Sequence, residues 1–353
     1  MRIEPARLRE AVQQILLAAG VDTAQANTVS HNIVWCDMAG RSNYGVSRLP
    51  ALLKRVAAGV IKCPCEPKFE RFSESIEKLH ADNGFGHHAS SLAIDRACDL
   101  AEQSGLGIVG VAESNFFGAG AYYVLLAAER GMASIALSNS VPQVTAPGGN
   151  RPVLGTNPIA FGAPRKDGHA LLLDMSTAAM ASSSVRATIA RGGALAKGIA
   201  IDQWGNPLVG SVDTSQFTLL PAAGAKGYAL SVMIEILSGV LSGAGMSHGV
   251  ASMYRNFNEG GHNGHFFLAL DVSKWMPVEE YFARIEVLAT LLAEASPGGE
   301  VRLPGAERWN RLQESDRSGV LLETETSAQL EALAREHGVI VPWSRCRSDS
   351  NSL

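Results

Sequence analysis

Two basic residues of the chain stand where they could bind an anion. Lys226, in Ala225-Lys226-Gly227, directly precedes a long apolar helix, so its ammonium group and the free N–H groups of that helix share one end. This arrangement suits a phosphate, although a solvated lysine at a helix start is the simpler interpretation. Arg48 ends the turn Tyr44-Gly-Val-Ser-Arg48, where its guanidinium group could clamp a substrate carboxylate with two hydrogen bonds or could simply face solvent.

A third segment, Leu173-Asp174-Met175-Ser176-Thr177, ends a hydrophobic strand with small polar residues. Ligands of open α/β sheets bind at the carboxyl ends of strands, so these side chains could face a ligand. A helix cap at Ser176 or Thr177 explains the same residues equally well.

The usual dinucleotide and metal motifs are missing from the chain. Asn83-Gly-Phe-Gly86 lacks the third glycine of the dinucleotide fingerprint, so an ordinary Rossmann domain is disfavoured. The histidine pairs His87-His88 and His262/His265 have no third ligand at metal-site spacing. We therefore predict ordinary hydrogen-bonded histidines and no metal site.

Composition excludes several classes of protein. A net charge of −4 gives no basic excess with which to bind nucleic acid. The five cysteines are odd in number and irregularly spaced, which favours a reducing, cytoplasmic compartment. The charged residues near the N-terminus indicate an amphipathic helix rather than a signal peptide. Residues 228–246 form the longest apolar run, but Glu235 and three glycines interrupt it, so we expect a buried helix and no membrane span.

Hydrophobic periodicity predicts three regions along the chain. Apolar residues at helical spacing indicate short-looped helices in the first sixty residues, with Thr23 as a cap, and more helices after residue 275. Between them, strands alternate with helices, which predicts a buried and at least partly parallel sheet. The predicted strands are 107–112, 133–137, 157–161, 171–175 and 266–270, and the predicted helices of this block are 91–104, 118–130 and 226–241.

A series of ordered motifs runs nearly end to end through the chain. They are Tyr44-Gly-Val-Ser-Arg-Leu-Pro50, Gly155-Thr-Asn-Pro-Ile-Ala-Phe161, Leu173-Asp-Met-Ser176, Lys226-Gly-Tyr228, Glu235-Ile-Leu-Ser-Gly239, Gly264-His-Phe-Phe267 and Arg302-Leu-Pro-Gly305. Together they resemble the type-2 malate/L-lactate dehydrogenases. That family also includes ureidoglycolate dehydrogenase, 2,3-diketo-L-gulonate reductase, sulfolactate dehydrogenase and Δ1-piperideine-2-carboxylate reductase.

The resemblance implies a non-Rossmann α/β fold, usually a homodimer, that binds NAD or NADP. Such a protein passes a hydride to or from a small 2-oxo or 2-hydroxy acid, or a cyclic imino acid. We expect residues 76–279 to form a central α/β domain that binds the nicotinamide cofactor. Residues 1–75 and 280–353 would form a discontinuous, mainly helical domain for substrate binding and dimerisation.

The resemblance also assigns roles to individual residues. Arg48 would hold the carboxylate of a small substrate. The residues expected to contact the cofactor are Asn157, Asp174, Met175, Ser176, Ala225, Lys226, Gly305, Ala306 and Glu307.

The sequence departs from the family pattern at the catalytic positions. Asn43-Tyr44-Gly45 stands where the family has Ser-His-Gly, and Asn115-Phe116 stands where it has Asn-His. A third change is the serine run 182–184. Delivery of a proton to a developing alkoxide is worth about 10²–10⁴ in rate, and Phe116 has no proton to deliver. Tyr44 could donate one, but a phenol with an ordinary pKa near ~10 is a poor base for the reverse oxidation.

Three interpretations follow from the four catalytic positions Tyr44, Arg48, Asn115 and Phe116. The chain is a dehydrogenase or reductase whose acid/base chemistry has moved, with Tyr44 as the acid. Alternatively, it is an imine reductase whose substrate arrives protonated. The third interpretation is a cofactor-binding or accessory protein that has lost turnover.

Overall fold

The computed structural model describes residues 1–212, 216–296, 298, 301–341 and 343. The polar tail that we predict to be frayed after Trp343 lies outside the described residues, as does part of the Pro/Gly-rich break at 296–299. The helices are α1 (Pro5–Ala18), α2 (Thr23–Met38), α3 (Leu49–Ala57), α4 (Gly86–Ser104), α5 (Gly120–Glu129), α6 (Ser182–Ala190), α7 (Ala225–Glu235), α8 (Val278–Ala293), α9 (Ala306–Ser318) and α10 (Thr324–Glu336).

Strands occupy much of the middle of the chain. They are β1 (Arg2–Ile3), β2 (Lys68–Arg71), β3 (Ile76–His80), β4 (Leu106–Ser114), β5 (Met132–Ser138), β6 (Val144–Thr145), β7 (Pro152–Leu154), β8 (Ile159–Ala163), β9 (Leu171–Met175), β10 (Ala194–Leu195), β11 (Ala200–Ile201), β12 (Gly210–Ser211), β13 (Thr218–Leu219), β14 (Asn263–Asp271) and β15 (Val320–Leu321). Each predicted strand of the central block overlaps one of these, so the helix-strand alternation is confirmed.

The central sheet has seven strands in the order β2-β3-β4-β14-β5-β8-β9. Its β3–β4 pair is parallel and its other neighbouring pairs are antiparallel. The prediction of a partly parallel sheet is therefore right, although antiparallel pairing dominates. The long strand β14, which carries Gly264-His-Phe-Phe267, comes from much later in the chain and lies between β4 and β5. Helices α4 and α5 pack on this sheet, and small residues such as Ala97 and Ala127 allow the close approach.

The first helices are held to the end of the chain by a separate apolar core. Strand β1 pairs antiparallel with β15, and residues of α1, α2 and α3 pack in one cluster with Leu312 and Leu330. The cap of α2 is Asp22, which accepts the N–H of Gln25, so the expected cap at Thr23 was wrong by one residue. The domain boundaries at residues 75 and 280 stay a prediction.

The apolar run 228–246 differs from expectation. It forms α7 followed by a π-helical segment, Ile236–Val240, and one side of it is open to solvent. Ile236, Val240 and Leu241 are 50%, 54% and 67% exposed. The expected buried helix is therefore buried on one side only in the single chain. In the part of the chain that the structure describes, no helix is both long and apolar enough to cross a membrane.

Phe267 provides a test of the central core. Its side chain is 0% exposed on β14, whereas Phe69 on the edge strand β2 is 41% exposed. Phe267→Ala is expected to lower the free energy of unfolding by about 3–5 kcal/mol, because it removes a large side chain from a close-packed interior. Phe69→Ala is the matched control and is expected to change it by no more than about 0.5 kcal/mol. Urea denaturation at constant m-value measures both, and equal losses would contradict this core.

Candidate active site

The turn that carries Tyr44 and Arg48 is held by a buried carboxylate. Two short helical turns, Ser42–Tyr44 and Val46–Arg48, meet at Gly45. The Oδ2 of Asp37 accepts the N–H of Val46 at 2.8 Å, and a side chain at Gly45 would overlap the Asp37 carboxylate. Burial raises the pKa of Asp37 to about 7. The sequence interpretation missed Asp37, because a lone aspartate on a helix carries no distinguishing signal.

Tyr44 and Phe116 form an apolar wall, which we call the Tyr44–Phe116 wall. Their rings stack with centroids 6.2 Å apart and an interplanar angle of 12°. Burial, followed by the charge of Asp174, raises the pKa of the Tyr44 phenol. The phenol is therefore neutral at physiological pH, and the two positions where histidines were expected now bury ring surface against each other.

His87 lies on the other side of Phe116. Its ring meets the Phe116 ring edge-on, with centroids 5.6 Å apart. It is fully buried, burial lowers its pKa to about 3, and neither ring nitrogen has a hydrogen-bond partner among the described residues. The expectation of an ordinary hydrogen-bonded histidine was thus wrong for His87. It was correct for His265, which contacts the hydroxyls of Ser114 and Ser138 at 2.8 Å each.

Asn115 holds loops together with both ends of its amide. Its Oδ1 accepts hydrogen bonds from Arg55 at 3.1 Å and from the N–H of Gly261 at 2.9 Å. Its Nδ2 donates to the carbonyl oxygens of Asn83 and Gly84 at 3.0 and 2.9 Å. Both donors of the side chain are used within the chain, and the catalytic role of Asn115 stays a prediction.

Arg48 has a guanidinium group without a carboxylate partner among the described residues. Its Nε donates to the carbonyl of Asn43 at 2.5 Å, and its Cζ lies 5.5 Å from the centre of the Tyr254 ring. Burial lowers the pKa of Arg48. A half-buried guanidinium that is oriented but not neutralised can bind a carboxylate with two hydrogen bonds.

Three of the predicted cofactor residues line one cavity of about 610 Å³: Asp174, Gly305 and Glu307. The N–H of Leu172 bonds to the carbonyl of Pro304, which brings the beginning of β9 against the start of α9. Gly305 has φ +94° and lies against Leu172, so only glycine fits there without strain. A residue that the sequence interpretation missed, Arg308, contacts Asp174 at 3.5 Å.

Ser176 and Asn157 support the backbone beside this cavity. Ser176 Oγ donates to the carbonyl of Thr156 and accepts the N–H of Ala178. No helix begins there in the described chain, so the helix-cap interpretation was wrong. Asn157 is buried and donates to Glu235 at 2.7 Å. Met175 is exposed beside them.

Ala225 and Lys226 begin α7, as the sequence predicted. The preceding residue, Gly224, has φ +61° and no side chain caps the helix. The N–H of Gly227 bonds to the carbonyl of Ala222, whereas those of Ala225 and Lys226 have no partner among the described residues. Lys226 is exposed.

Ala306 lies elsewhere, in a smaller cavity of about 140 Å³ with Trp309. Among the described residues, no cluster of three or more His, Cys, Asp or Glu side chains could hold a metal ion.

Comparison with known proteins identifies the family. Residues 3–331 match the malate/L-lactate dehydrogenase family. The chain belongs to this family. An L-sulfolactate dehydrogenase from Methanothermobacter thermautotrophicus is 30% identical over 336 residues, which cover 95% of this chain and 97% of the relative. This dehydrogenase family is the one predicted from the motifs, and the prediction is confirmed.

Solved structures of family members share the whole fold. Malate dehydrogenase from Pyrococcus horikoshii superposes with a TM-score of 0.88 at 29% identity, covering 97% of each chain. Δ1-Piperideine-2-carboxylate reductase from Pseudomonas syringae pvar. tomato has a TM-score of 0.87 at 27% identity, covering 95% of this chain and 100% of that chain. The α/β fold class of this dehydrogenase is therefore also confirmed.

Asp37 makes the stability of the dehydrogenase depend on pH. Because its pKa is raised, the native protein keeps a proton that the unfolded chain has released between about pH 4 and pH 7, so stability falls as pH rises through this window. Asp37→Asn removes this titration and keeps an oxygen for the Val46 N–H. The free energy of unfolding of Asp37→Asn minus that of the wild type is expected to be roughly 1–3 kcal/mol larger at pH 8 than at pH 5.

Denaturation at the two pH values measures this difference. Asp316→Asn, which alters an exposed carboxylate, is the control and is expected to show no such difference. An Asp37→Asn effect that is equal at pH 5 and pH 8 would contradict the assignment.

Proposed function

We propose that the chain transfers a hydride between NAD or NADP and a small acid, either a 2-oxo/2-hydroxy acid or a cyclic imino acid. One observation carries this proposal: the half-buried Arg48 guanidinium, which has no carboxylate partner, stands four residues from Tyr44 at the edge of the Tyr44–Phe116 wall. Relatives named for malate, sulfolactate and Δ1-piperideine-2-carboxylate all act on compounds that carry a carboxylate. We further propose a cytoplasmic homodimer.

The residues expected to hold the cofactor fit a dinucleotide. The uncapped N-terminus of α7 and the exposed Lys226 supply donors and positive charge for a phosphate. A side chain at Gly305 or Gly227 would overlap Leu172 or the backbone of Ala222, so the close packing at both helix starts requires glycine. When bound, the nicotinamide supplies or accepts the hydride. Relatives named for NAD⁺ and for NADP⁺ both occur, in keeping with either cofactor.

The Tyr44–Phe116 wall favours a substrate that brings its own proton. The Tyr44 phenol is neutral, Asn115 is fully hydrogen-bonded within the protein, and His87 lies behind Phe116. A protonated cyclic imine needs no general acid for hydride addition, whereas a ketone does. Arg48 would orient either substrate by its carboxylate, so imine reduction is the version that the pocket chemistry supports best.

An activity assay with two variants tests this function. Purified protein is supplied with NADH or NADPH and with pyruvate, a longer 2-oxo acid or Δ1-pyrroline-2-carboxylate, and cofactor oxidation is followed by absorbance. Tyr44→Phe is expected to lower kcat/KM less than about tenfold, because the ring stack is kept and the hydroxyl contributes under ~1.4 kcal/mol. Arg48→Lys, which loses the planar fork, is expected to lower kcat/KM about 10- to 100-fold with cofactor affinity unchanged.

Two outcomes would contradict the proposal of hydride transfer to a protonated imine. A hundredfold loss in Tyr44→Phe at constant cofactor affinity would make Tyr44 the general acid. Absence of turnover with every substrate, in protein that binds the cofactor, would favour the accessory interpretation instead.

The homodimer proposal is supported by two exposed apolar stripes. On α7 and the following π-helical segment the stripe consists of Met233, Ile236, Val240 and Leu241. On α8 it consists of Val287, Leu288, Leu291 and Leu292. Apolar residues repeated along one helix face and open to water are typical of an interface between chains.

Light scattering coupled to size exclusion tests the dimer. Leu241→Glu places a charge in the first stripe and is expected to shift the protein from dimer to monomer, because burying an unpaired charge costs several kcal/mol. Ile340→Glu alters a residue that is 72% exposed outside both stripes and is expected to leave the mass unchanged. A wild-type monomer would overturn the proposal.

A further inference from the structure

A compact loop, residues 251–261, leads into the long strand β14. The N–H of Ala251 bonds to the carbonyl of Gly261 at 2.9 Å, which closes the loop at its base. Within the loop, the Oδ1 of Asn256 accepts the N–H of Ser252 at 3.0 Å, and the N–H of Asn256 bonds back to the carbonyl of Ser252 at the same distance. Surface loops that close on themselves in this way are compact and frequently functional.

Arg55 fastens this loop to α3, the helix that begins directly after Arg48. Its side chain is 1% exposed and donates to the carbonyl oxygens of Asn256 and Glu259 in the loop. It also donates to the Oδ1 of Asn115 at 3.1 Å. Displacement of the loop would leave buried donors of this guanidinium group unpaired, which is costly away from water. The loop therefore has a defined position relative to Arg48.

Tyr254, in the middle of the loop, contacts Arg48. The Cζ of Arg48 lies 5.5 Å from the centre of the Tyr254 ring, within the range of a cation–π contact. The Nε of Arg48 donates to the carbonyl of Asn43, whereas its two terminal nitrogens have no hydrogen-bond partner among the described residues. The ring and the Nε bond thus restrain the guanidinium group, while the edge that can bind a carboxylate with two hydrogen bonds stays available.

A second contact of the same kind provides a comparison within the loop. The Nζ of Lys54 on α3 lies 4.6 Å from the centre of the Phe257 ring. Lys54 is exposed, whereas Arg48 is half-buried and is the residue to which the proposed function assigns the substrate carboxylate. Loosening of the loop is an effect that both aromatic residues can share, but an effect through Arg48 belongs to Tyr254.

We propose that Tyr254 is a positioning residue for substrate binding, whose ring holds the Arg48 guanidinium group in the orientation that binds the substrate carboxylate. This inference rests on the proposed function, in which Arg48 is the carboxylate clamp. An unrestrained arginine loses side-chain freedom when it forms a pair with two hydrogen bonds, and a guanidinium group already restrained by an aromatic ring loses less. The benefit is therefore expected in the affinity for carboxylates, and so in KM rather than in kcat.

Calorimetric titration of carboxylates tests this role without requiring turnover. Pyruvate and 1-cyclopentene-1-carboxylate resemble the ketone and the cyclic imine, and both are titrated in the presence of NAD⁺ or NADP⁺, which cannot donate a hydride. Tyr254→Ala is expected to weaken binding of both carboxylates about 5- to 30-fold, as loss of a cation–π contact predicts. Tyr254→Phe keeps the ring, and Phe257→Ala is the matched control, so both are expected to stay within about threefold of the wild type.

A double variant separates a role through Arg48 from general damage to the site. In the Arg48→Lys background the planar guanidinium group is absent, so adding Tyr254→Ala is expected to change carboxylate affinity less than about threefold. The affinity for NAD⁺ or NADP⁺ is expected to be unchanged in every variant. Because Tyr254 is 51% exposed, its replacement is expected to leave the fold intact.

The outcomes are distinct. Wild-type carboxylate affinity in Tyr254→Ala, or an equal loss in Phe257→Ala, would overturn the positioning role. An equal loss from Tyr254→Ala in both Arg48 backgrounds would make Tyr254 a direct substrate contact and would also overturn it. Failure of the clamp is seen separately, because the wild-type protein then binds neither carboxylate or Arg48→Lys binds them as tightly as the wild type. That result would overturn the proposed function together with this inference.

Discussion

The hydrogen bond from the Val46 N–H to Asp37 is the interaction on which the candidate site depends. It fixes the turn at Gly45, and that turn sets where Tyr44 and Arg48 project. The carboxylate is buried and its pKa is raised, so the turn is maintained at an energetic cost that the surrounding helical core must offset. A side chain at Gly45 would overlap the Asp37 carboxylate, so the contact with Asp37 requires glycine at this position.

The Tyr44–Phe116 wall places apolar ring surface at the two positions where histidines were expected. Two stacked rings exclude water and leave the phenol neutral, and the buried His87 behind them is neutral as well. A pocket of this kind offers no acid group beside a developing alkoxide, so it stabilises that charge poorly. Arg48 remains as an oriented cation, so under the proposed function carboxylate binding and hydride transfer are kept while proton delivery is weakened.

The central sheet explains how residues far apart in sequence come to share this region. Strand β4 ends at Ser114, next to Asn115 and Phe116, and β9 ends beside Asp174. Asn115 then joins the loops at residues 83–84 and 261 through four hydrogen bonds. The start of α9 is drawn to β9 by the bond between Leu172 and Pro304, which delivers Arg308 to Asp174.

The sequence alone predicted the elements and the family, because local periodicity and ordered motifs are properties of neighbouring residues. It also pointed to Arg48, Asp174 and Lys226 as candidate site residues, because their types and their positions beside turns and strand ends can be read from the sequence. It could not show that Asn115 is fully hydrogen-bonded, that His87 is not, or that Arg308 is buried beside Asp174. Those facts depend on which residues distant in the chain become neighbours, and only the packing of the sheet and helices decides that.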